Sequence, residues 1–309
     1  MSAQIAVNEP SGVLIVNKHA GVTSHDIVGK IRRLYGTRRV GHAGTLDPMA
    51  TGVLVVLIGR AAKASEYLVS DSKRYRAGLR LGVTTDTEDT TGTVLSKHEG
   101  ALPSFAKLEE ALSAFRGKIQ QVPPMYSALK VGGKKLVDLA RQGVTIERKA
   151  REIEIFSLTA APTDLPSNFT LDVCCSGGTY IRTLCADIGA HLGCGGVMSS
   201  LERVEACGFS IDQAHTIEAL EGMTQEEKAA LLIPIEALFA SLPSVRLSPF
   251  FEKLCRSGCE IYQKKIGVSF PLGTRVRICD EAGEFFALGK VKEYENGTAV
   301  KAIKTFALD

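Results

Sequence analysis

Residues 41–54 have the sequence GHAGTLDPMATGVL, and an apolar run, Val53–Ile58, begins inside this stretch. The glycines make a helix unfavourable here. A continuous apolar run of this length is typical of a strand that is covered on both faces. Pro48 restricts the preceding residue to extended conformations, which limits where the Asp47 carboxylate can point. A carboxylate held just ahead of a buried strand is suited to be a nucleophile, although an isolated Asp-Pro pair is more often a turn that bonds its own backbone.

The sequence around this stretch shows strand and helix patterns in a mixed order. Apolar residues at helical spacing follow Ser24, which is predicted to cap that helix, and Gly36 is predicted to end it. A second helix is predicted after Gly178, with Arg182 in its first turn. Strand patterns occupy Val13–Val16, Val53–Ile58, Arg74–Leu81 and Phe169–Cys175. This order predicts a mixed α+β domain.

The pattern changes from about Pro243 onward. Short strand-like runs are separated there by turn-prone segments at residues 280–283 and 295–297. The runs are Arg275–Cys279, Glu284–Val291 and Thr298–Lys304. We therefore predict a large domain over residues 1–242 and a small β-barrel over residues 243–309.

Composition limits the choice of partners and of compartment. The chain of 309 residues has a net charge of only +3, so a polyanion must be held by local basic patches. Its eight cysteines have no regular spacing, and no secretory signal pattern is found at the start. The longest apolar run is far too short to cross a bilayer. We expect a reducing, cytoplasmic setting and no membrane contact.

Three further residues are candidates for a site. Arg182 lies where the helix dipole opposes a cation by ~0.3–1 kcal/mol, and such local conflicts often mark function. The alternative is an arginine that only reaches water. Tyr75 and His42 carry flat rings that can stack on a base, although core packing and a loop hydrogen bond explain them equally well.

Two clusters resemble metal ligands without matching a known spacing. The first contains Asp86, Glu88 and Asp89, whose loop differs from known calcium loops. The second contains Cys185, His191 and Cys194, which lack a paired cysteine knuckle and a fourth ligand. We expect no metal site.

Several segments together resemble one family, the bacterial tRNA pseudouridine-55 synthases of the B type. Residues 41–54 resemble its signature loop, and four further segments match in the same order. These are residues 16–18 with 21–24, residues 73–75 with 81–87, residues 123–130, and residues 178–184. Leu201, Arg203, Gly208 and Phe209 continue the match, and the tail resembles a PUA domain. The resemblance covers nearly the whole chain.

This resemblance implies a fold and a partner. The expected fold is α+β, with a mixed, largely antiparallel central sheet flanked by helices and a small PUA-like barrel. An insertion around residues 123–151 is expected to grip RNA. The expected substrate is uridine 55 in the T arm of tRNA, which is isomerised to pseudouridine by a monomer that needs neither a cofactor nor an obligate protein partner.

The resemblance also assigns roles to residues. Asp47 acts at the sugar, either at C1′ or, through a glycal, at C2′. Arg182 holds Asp47, Tyr75 stacks on the uracil, and Leu201 supplies an apolar wall. His42 helps to extrude the nucleotide, while Lys18 and Tyr180 support the pocket. The basic residues expected to contact phosphates are Lys130, Lys134, Lys135, Arg256, Lys264 and Lys265.

Two departures from the family and two rival functions stay open. His19 follows Lys18 where the family usually has proline, and Val137 stands where an aromatic is common. The first rival function is a non-catalytic tRNA-binding protein or RNA chaperone. The second is a guide-RNA-dependent synthase of the same superfamily, which the stand-alone form of the insertion makes less fitting.

Overall fold

The structure is a computed structural model that describes residues 9–68, 72–127 and 129–306. The side chains of Lys130 and Lys135, both predicted to contact phosphate, lie outside the described part. Within these ranges, no helix has the length and apolar character needed to span a membrane.

Thirteen described strands precede residue 243. They are β1 (Gly12–Lys18), β2 (Val40–His42), β3 (Thr51–Ile58), β4 (Lys73–Leu81), β5 (Val83–Thr85), β6 (Val94–Lys97), β7 (Gly117–Gln121), β8 (Lys130–Val131), β9 (Lys134–Lys135), β10 (Arg151–Pro162), β11 (Asn168–Cys175), β12 (Gly196–Ala206) and β13 (Phe209–Ser210). The strands after residue 243 are β14 (Ser244–Arg246), β15 (Ile261–Tyr262), β16 (Arg275–Cys279), β17 (Phe285–Tyr294) and β18 (Gly297–Thr305).

The helices are mostly short and connect or cover these strands. They are α1 (Ser24–Leu34), α2 (Phe105–Leu112), α3 (Leu136–Ala140), α4 (Ile181–His191), α5 (Ile217–Glu221), α6 (Gln225–Ala230) and α7 (Pro249–Arg256). Short 3₁₀ segments occupy Gly59–Tyr67, Ser113–Phe115, Ile211–Gln213, Ile235–Phe239 and Gln263–Lys265.

The central sheet has the strand order β1-β3-β12-β4-β11-β10-β7, with β2 added on β3 and β13 on β12. Within it, β3 and β12 run parallel, and the other neighbours run antiparallel. The predicted mixed, largely antiparallel sheet is confirmed. Its core includes Val53–Ile58, all fully buried as predicted, because helices pack on one face of β3 and other elements cover the second.

The start of α1 differs from the prediction by one residue. Thr23, and not Ser24, is the N-cap, and it forms a capping box with Asp26. The buried Ser24 hydroxyl instead bonds the backbone of Leu46. The prediction was wrong because Thr23 and Ser24 are equally suitable caps in the local sequence. The N-cap is Thr23 because the hydroxyl of Ser24 is bonded to the backbone of Leu46, which packs against the helix. Gly36, with a φ of 62°, follows the end of the helix as predicted.

The C-terminal strands form a second sheet with the order β14-β16-β17-β18-β15. It curls into half a barrel, compatible with the predicted PUA-like unit. The sheet docks on the 3₁₀ segment Gly59–Tyr67 that follows β3. Arg60 donates to the carbonyl of Phe306 at 3.1 Å, and the Tyr67 hydroxyl donates to that of Ile303 at 3.2 Å. Phe306 therefore packs into the same core as the central sheet.

Candidate active site

The residues just before β3, residues 43–50, form a loop that we call the Asp47 loop. Shortly after it Gly52 has a φ of 97°, and a Cβ placed there would collide with the carbonyl oxygen of Arg203. Gly52 is aligned with Arg203 in the parallel pairing of β3 and β12. Only glycine fits this close approach of two strands, which brings the Asp47 loop against β12.

Asp47 and Arg182 form the central ion pair of the site. Nε of Arg182 lies 2.9 Å from Oδ2 of Asp47, and the two side chains are 5% and 36% exposed, respectively. The rest of the guanidinium donates to the carbonyls of Thr87 at 3.0 Å and Tyr126 at 2.8 Å. Because these carbonyls belong to separate segments, the arginine is fixed, and it fixes the carboxylate while leaving it open to solvent.

A cleft of about 340 Å³ opens beside this pair. Five of the residues that line it were predicted as site residues: Asp47, Tyr75, Tyr180, Arg182 and Leu201. They come from the Asp47 loop, from β4, from the start of α4 and from β12. Apolar side chains and a few polar groups converge here, as in most small-ligand sites.

Tyr75 and Leu201 are buried in neighbouring strands at the wall of the cleft. Tyr75 pairs in register with Arg203 of β12 and with Val173 of β11. Burial raises the pKa of the Tyr75 phenol, and the charge of Arg203 opposes that rise. The phenol is therefore neutral at pH 7.

Lys18 stabilises the Asp47 loop through hydrogen bonds to its backbone. Its ammonium donates to the carbonyls of Ala50 at 2.5 Å, His19 at 3.0 Å and Pro48 at 3.2 Å. Burial lowers the pKa of Lys18 to about 8, opposed by the charge of Asp47 and reinforced by that of Arg203. Lys18 is not among the residues that line the cleft.

His42 and Tyr180 differ in their distance from the cleft. His42 ends β2, is half-buried and does not line the cleft. Burial, with a smaller contribution from the charge of Arg203, lowers its pKa. Tyr180 lines the cleft, and its backbone is held by Gln121, whose side-chain amide accepts from the Tyr180 N–H at 2.9 Å and donates to its carbonyl at 3.0 Å.

The predicted phosphate contacts lie in two places. Lys134 is exposed on the β8–β9 hairpin of the insertion, residues 123–151. Lys264 and Lys265 are on the surface and line a cavity of about 330 Å³ together with Tyr262. Arg256 is more restrained, since it pairs with Glu252 at 2.8 Å and lies 4.3 Å above the ring of Phe286.

The carboxylates that resembled a cation site are used within the protein. Asp89 accepts from the N–H of Thr91 at 2.9 Å, and its other oxygen lies 3.8 Å from Arg182. Asp86 accepts from the N–H of Thr93 at 2.7 Å, and Glu88 from the hydroxyl of Thr183 at 2.6 Å. Among the described residues no group of three or more His, Cys, Asp or Glu side chains is arranged to hold a metal.

Two contributors to the site were not predicted as site residues. Arg203 lies under the cleft, and Gln121 ties the start of the insertion to α4. Arg203 lies two residues after Leu201 on the same strand, so the alternation of β12 was an available signal that both side chains share a face. No local signal marks Gln121, because its partner is 59 positions away.

Comparison with known proteins identifies the family of the chain. Residues 32–181 match the TruB family pseudouridylate synthase (N terminal domain), and residues 182–240 match the tRNA pseudouridylate synthase B C-terminal domain. A tRNA pseudouridine synthase B from Clostridium kluyveri is 41% identical over 295 residues, which cover 96% of this chain and 99% of the relative. One from Syntrophotalea carbinolica is 46% identical over 239 residues, which cover 77% of this chain and 78% of the relative.

Solved structures show the same architecture. The crystal structure of a Cbf5-Nop10-Gar1 complex contains a chain that superposes with a TM-score of 0.74 at 25% identity, covering 96% of this chain and 85% of that one. In an archaeal box H/ACA sRNP Nop10-Cbf5 complex the TM-score is 0.70 at 22% identity, covering 97% of this chain and 87% of that one, a likeness of fold. The family matches and the fold thus define a pseudouridine synthase. The chain belongs to the tRNA pseudouridine synthase B family, whose enzymes are isomerases.

Proposed function

We propose that this enzyme converts uridine 55 in the T loop of tRNA to pseudouridine, with Asp47 as the nucleophile. The observation that carries the proposal is the Asp47–Arg182 pair, 2.9 Å between Oδ2 and Nε, at the mouth of a cleft lined by Tyr75 and Leu201. A carboxylate that is oriented by a buried guanidinium and still accessible is suited to attack a sugar carbon.

The reaction breaks the bond between C1′ and N1 and joins C1′ to C5 of the same base. No group is oxidised or reduced, so the reaction requires no redox cofactor. Asp47 either bonds C1′ or removes a proton at C2′, and both routes need its ionised form. The detached uracil is retained between Tyr75 and Leu201 while it turns. After C5 bonds C1′, the C5 proton leaves and N1 takes up a proton.

The remaining site residues support this reaction in different ways. Tyr75 stacks on the uracil. Its phenol is poorly suited to remove a proton at pH 7, because burial raises the pKa of this group. Lys18 holds the Asp47 loop through the carbonyls of Pro48 and Ala50, and Tyr180 supports the wall at the start of α4. His42 helps to extrude the nucleotide from the T loop, a step that costs a few kcal/mol.

Backbone contacts elsewhere offset the cost of extrusion. We assign residues 1–242 to catalysis, with RNA gripped by the insertion, and residues 243–309 to a PUA-like RNA-binding unit. Contacts to phosphate come from basic residues of the insertion and of the tail, namely Lys130, Lys134, Lys135, Arg256, Lys264 and Lys265. The proposed working form is a cytoplasmic monomer acting on the T arm.

The test uses a minimal T-arm hairpin labelled with tritium at C5 of the target uridine. Wild-type protein is expected to release tritium, and Asp47→Asn to release none while binding the hairpin within a few-fold of wild type. Asp172→Asn is the matched control, since Asp172 is a surface carboxylate paired with Arg74 at 2.9 Å. Normal turnover by Asp47→Asn removes the nucleophile assignment. The site assignment is removed if wild-type protein releases tritium from a hairpin labelled at every uridine except 55 and not from the hairpin labelled at 55.

A second candidate is a guide-RNA-dependent synthase, which the structural likeness to the Cbf5 chain favours. The same hairpin assay separates the two, because a stand-alone enzyme modifies it with no guide RNA present. A third outcome, binding of tRNA without tritium release, indicates the non-catalytic chaperone.

A further inference from the structure

Arg203 is a buried cation that the reaction described so far does not use. Its side chain is 0% exposed and donates to the carbonyls of Val53 at 2.7 Å, Gly44 at 3.1 Å and Thr45 at 3.4 Å. None of the ion pairs formed by the described residues includes Arg203. A charge buried without an opposite charge is costly, so its retention calls for a function.

The position of Arg203 directs its charge to one end of the cleft. It lines the cleft beside Tyr75, with which it pairs in register, whereas Arg182 is neutralised by Asp47 on the sugar side. Lys73, also buried, lines the same end, and both side chains lie within 3.5 Å of a Cβ placed on Gly44. Arg203 therefore places a positive charge at the end of the cleft that Tyr75 lines.

The field of Arg203 is felt by three titratable groups around it. Its charge lowers the pKa of Lys18 and of His42 and opposes the rise in the pKa of Tyr75. Each effect has the sign expected of a nearby positive charge in a low-dielectric setting. The same field acts on any charge that develops on a base stacked against Tyr75.

Pseudouridine formation creates such a charge. When the C1′–N1 bond breaks, its electron pair goes to N1, and the uracil becomes an anion spread over N1 and the two carbonyl oxygens. The base becomes neutral again when C5 bonds C1′, and the product is completed when the C5 proton leaves and N1 takes up a proton. We infer that Arg203 is the positioning residue whose preorganised charge stabilises this departing uracil anion, while its carbonyl bonds hold the Asp47 loop.

The inference rests on pseudouridine formation and not on the choice of Asp47 as nucleophile, since every route to pseudouridine detaches the base. It is tested by the leaving-group dependence of the rate. Fluorine at C5 withdraws electrons and stabilises the uracil anion without help from the protein. A variant that lacks the stabilising charge is therefore expected to be rescued, in part, by 5-fluorouridine at the target position.

Single-turnover rates of rearrangement are measured at a mildly acidic pH on T-arm hairpins with uridine or 5-fluorouridine, followed by nuclease digestion and mass spectrometry. Arg203→Met is expected to slow uridine by about 10²–10³-fold and 5-fluorouridine by about a tenth of that factor. Arg203→Lys keeps the charge and is expected to slow both substrates by one common factor. Because both rates come from one preparation, their ratio is independent of the folded fraction.

Arg116→Met is the matched control, since Arg116 donates only to the carbonyl of Leu158, outside the site; both substrates are expected to keep wild-type rates. Equal slowing of both substrates by Arg203→Met overturns the inference and leaves Arg203 a purely structural clamp. Should that variant not fold, Arg203→Lys is followed as the pH is raised and its introduced amine loses charge. For each substrate, the rate of the variant is divided by that of wild type at the same pH. This ratio must fall more steeply for uridine than for 5-fluorouridine, and an equal fall for both substrates overturns the inference.

Discussion

The hydroxyl of Ser24 and the backbone of Leu46 are joined by two hydrogen bonds. The hydroxyl accepts from the Leu46 N–H at 2.8 Å and donates to its carbonyl at 3.1 Å, and both bonds are buried. Leu46 directly precedes Asp47, so the first turn of α1 holds the Asp47 loop from one side. Arg182 holds the carboxylate itself from the other.

Ser24→Ala is expected to lower kcat about tenfold with little change in KM. The variant leaves a buried N–H unpaired, at a cost of about 1–3 kcal/mol, and lets the Asp47 loop move. Turnover of T-arm hairpins is the measurement. Ser113→Ala, which removes an exposed hydroxyl bond to Glu110, is the control. An unchanged kcat in Ser24→Ala shows that the loop is held sufficiently without this hydroxyl.

Arg182→Lys is expected to lower kcat about 10²-fold while tRNA binding changes by only a few-fold. A lysine keeps the charge, but its compact ammonium lacks the planar fork through which separate guanidinium nitrogens reach Asp47, Thr87 and Tyr126, so the carboxylate loses its orientation. Single-turnover rates and filter binding are the measurements. Arg74→Lys, in an exposed pair, is the control. Near-normal rates in Arg182→Lys contradict a geometric role for the guanidinium.

Lys18 is expected to make stability depend on alkaline pH. Its pKa is about 8 when folded and 10.5 ordinarily, so between these values the unfolded chain binds a proton that the folded chain has released. The free energy of unfolding contributed by Lys18 then rises with pH across this window, by up to about 3 kcal/mol. Urea unfolding of wild type and Lys18→Met, compared at each pH, isolates this difference. A difference that is constant from pH 8 to 10.5 contradicts the expectation.

Lys264→Ala combined with Lys265→Ala is expected to weaken tRNA binding and to reduce the slope of log K against log salt by about two. Each lysine that neutralises a phosphate contributes about one to that slope. Binding measured across a salt series is the test, with Lys134→Ala expected to reduce the slope by about one. The exposed Lys97 of β6 provides a control, since no RNA contact is assigned to it. An unchanged slope removes the tail lysines from the phosphate-binding residues.

Phe306→Ala is expected to destabilise the whole protein by about 3–5 kcal/mol. Phe306 is 3% exposed and belongs to the same buried cluster as Val13, Ile15 and Val55 of the central sheet, so the C-terminal strands complete the core behind that sheet. Phe250→Ala is the matched control, because Phe250 is 68% exposed and its truncation is expected to change stability by at most about 0.5 kcal/mol. Thermal unfolding compares the two, and equal midpoints contradict a shared core.

The strands and helices that could be predicted from the sequence were those whose apolar residues recur at a regular spacing, because one or both of their faces are buried. The strands β3, β4 and β11 and the helices α1 and α4 were found within a residue or two of their predicted bounds. The cap of α1 was misassigned because Thr23 and Ser24 are locally equivalent. Arg203 was noted only as part of the resemblance, because an arginine in a strand is ordinarily a solvated residue.

The sequence by itself determined the family, the position of Asp47 before a buried strand and the RNA partner expected for the protein. These follow from motifs and periodicities, which can be read within short segments of the chain. Only the tertiary structure decided that Arg182 reaches Asp47, that Arg203 forms no ion pair among the described residues and that Phe306 closes the core behind β3. These facts depend on the relative positions of residues more than a hundred places apart in the chain. Local periodicity does not determine such distances, which follow from the pairing of distant strands and from the packing of the two sheets.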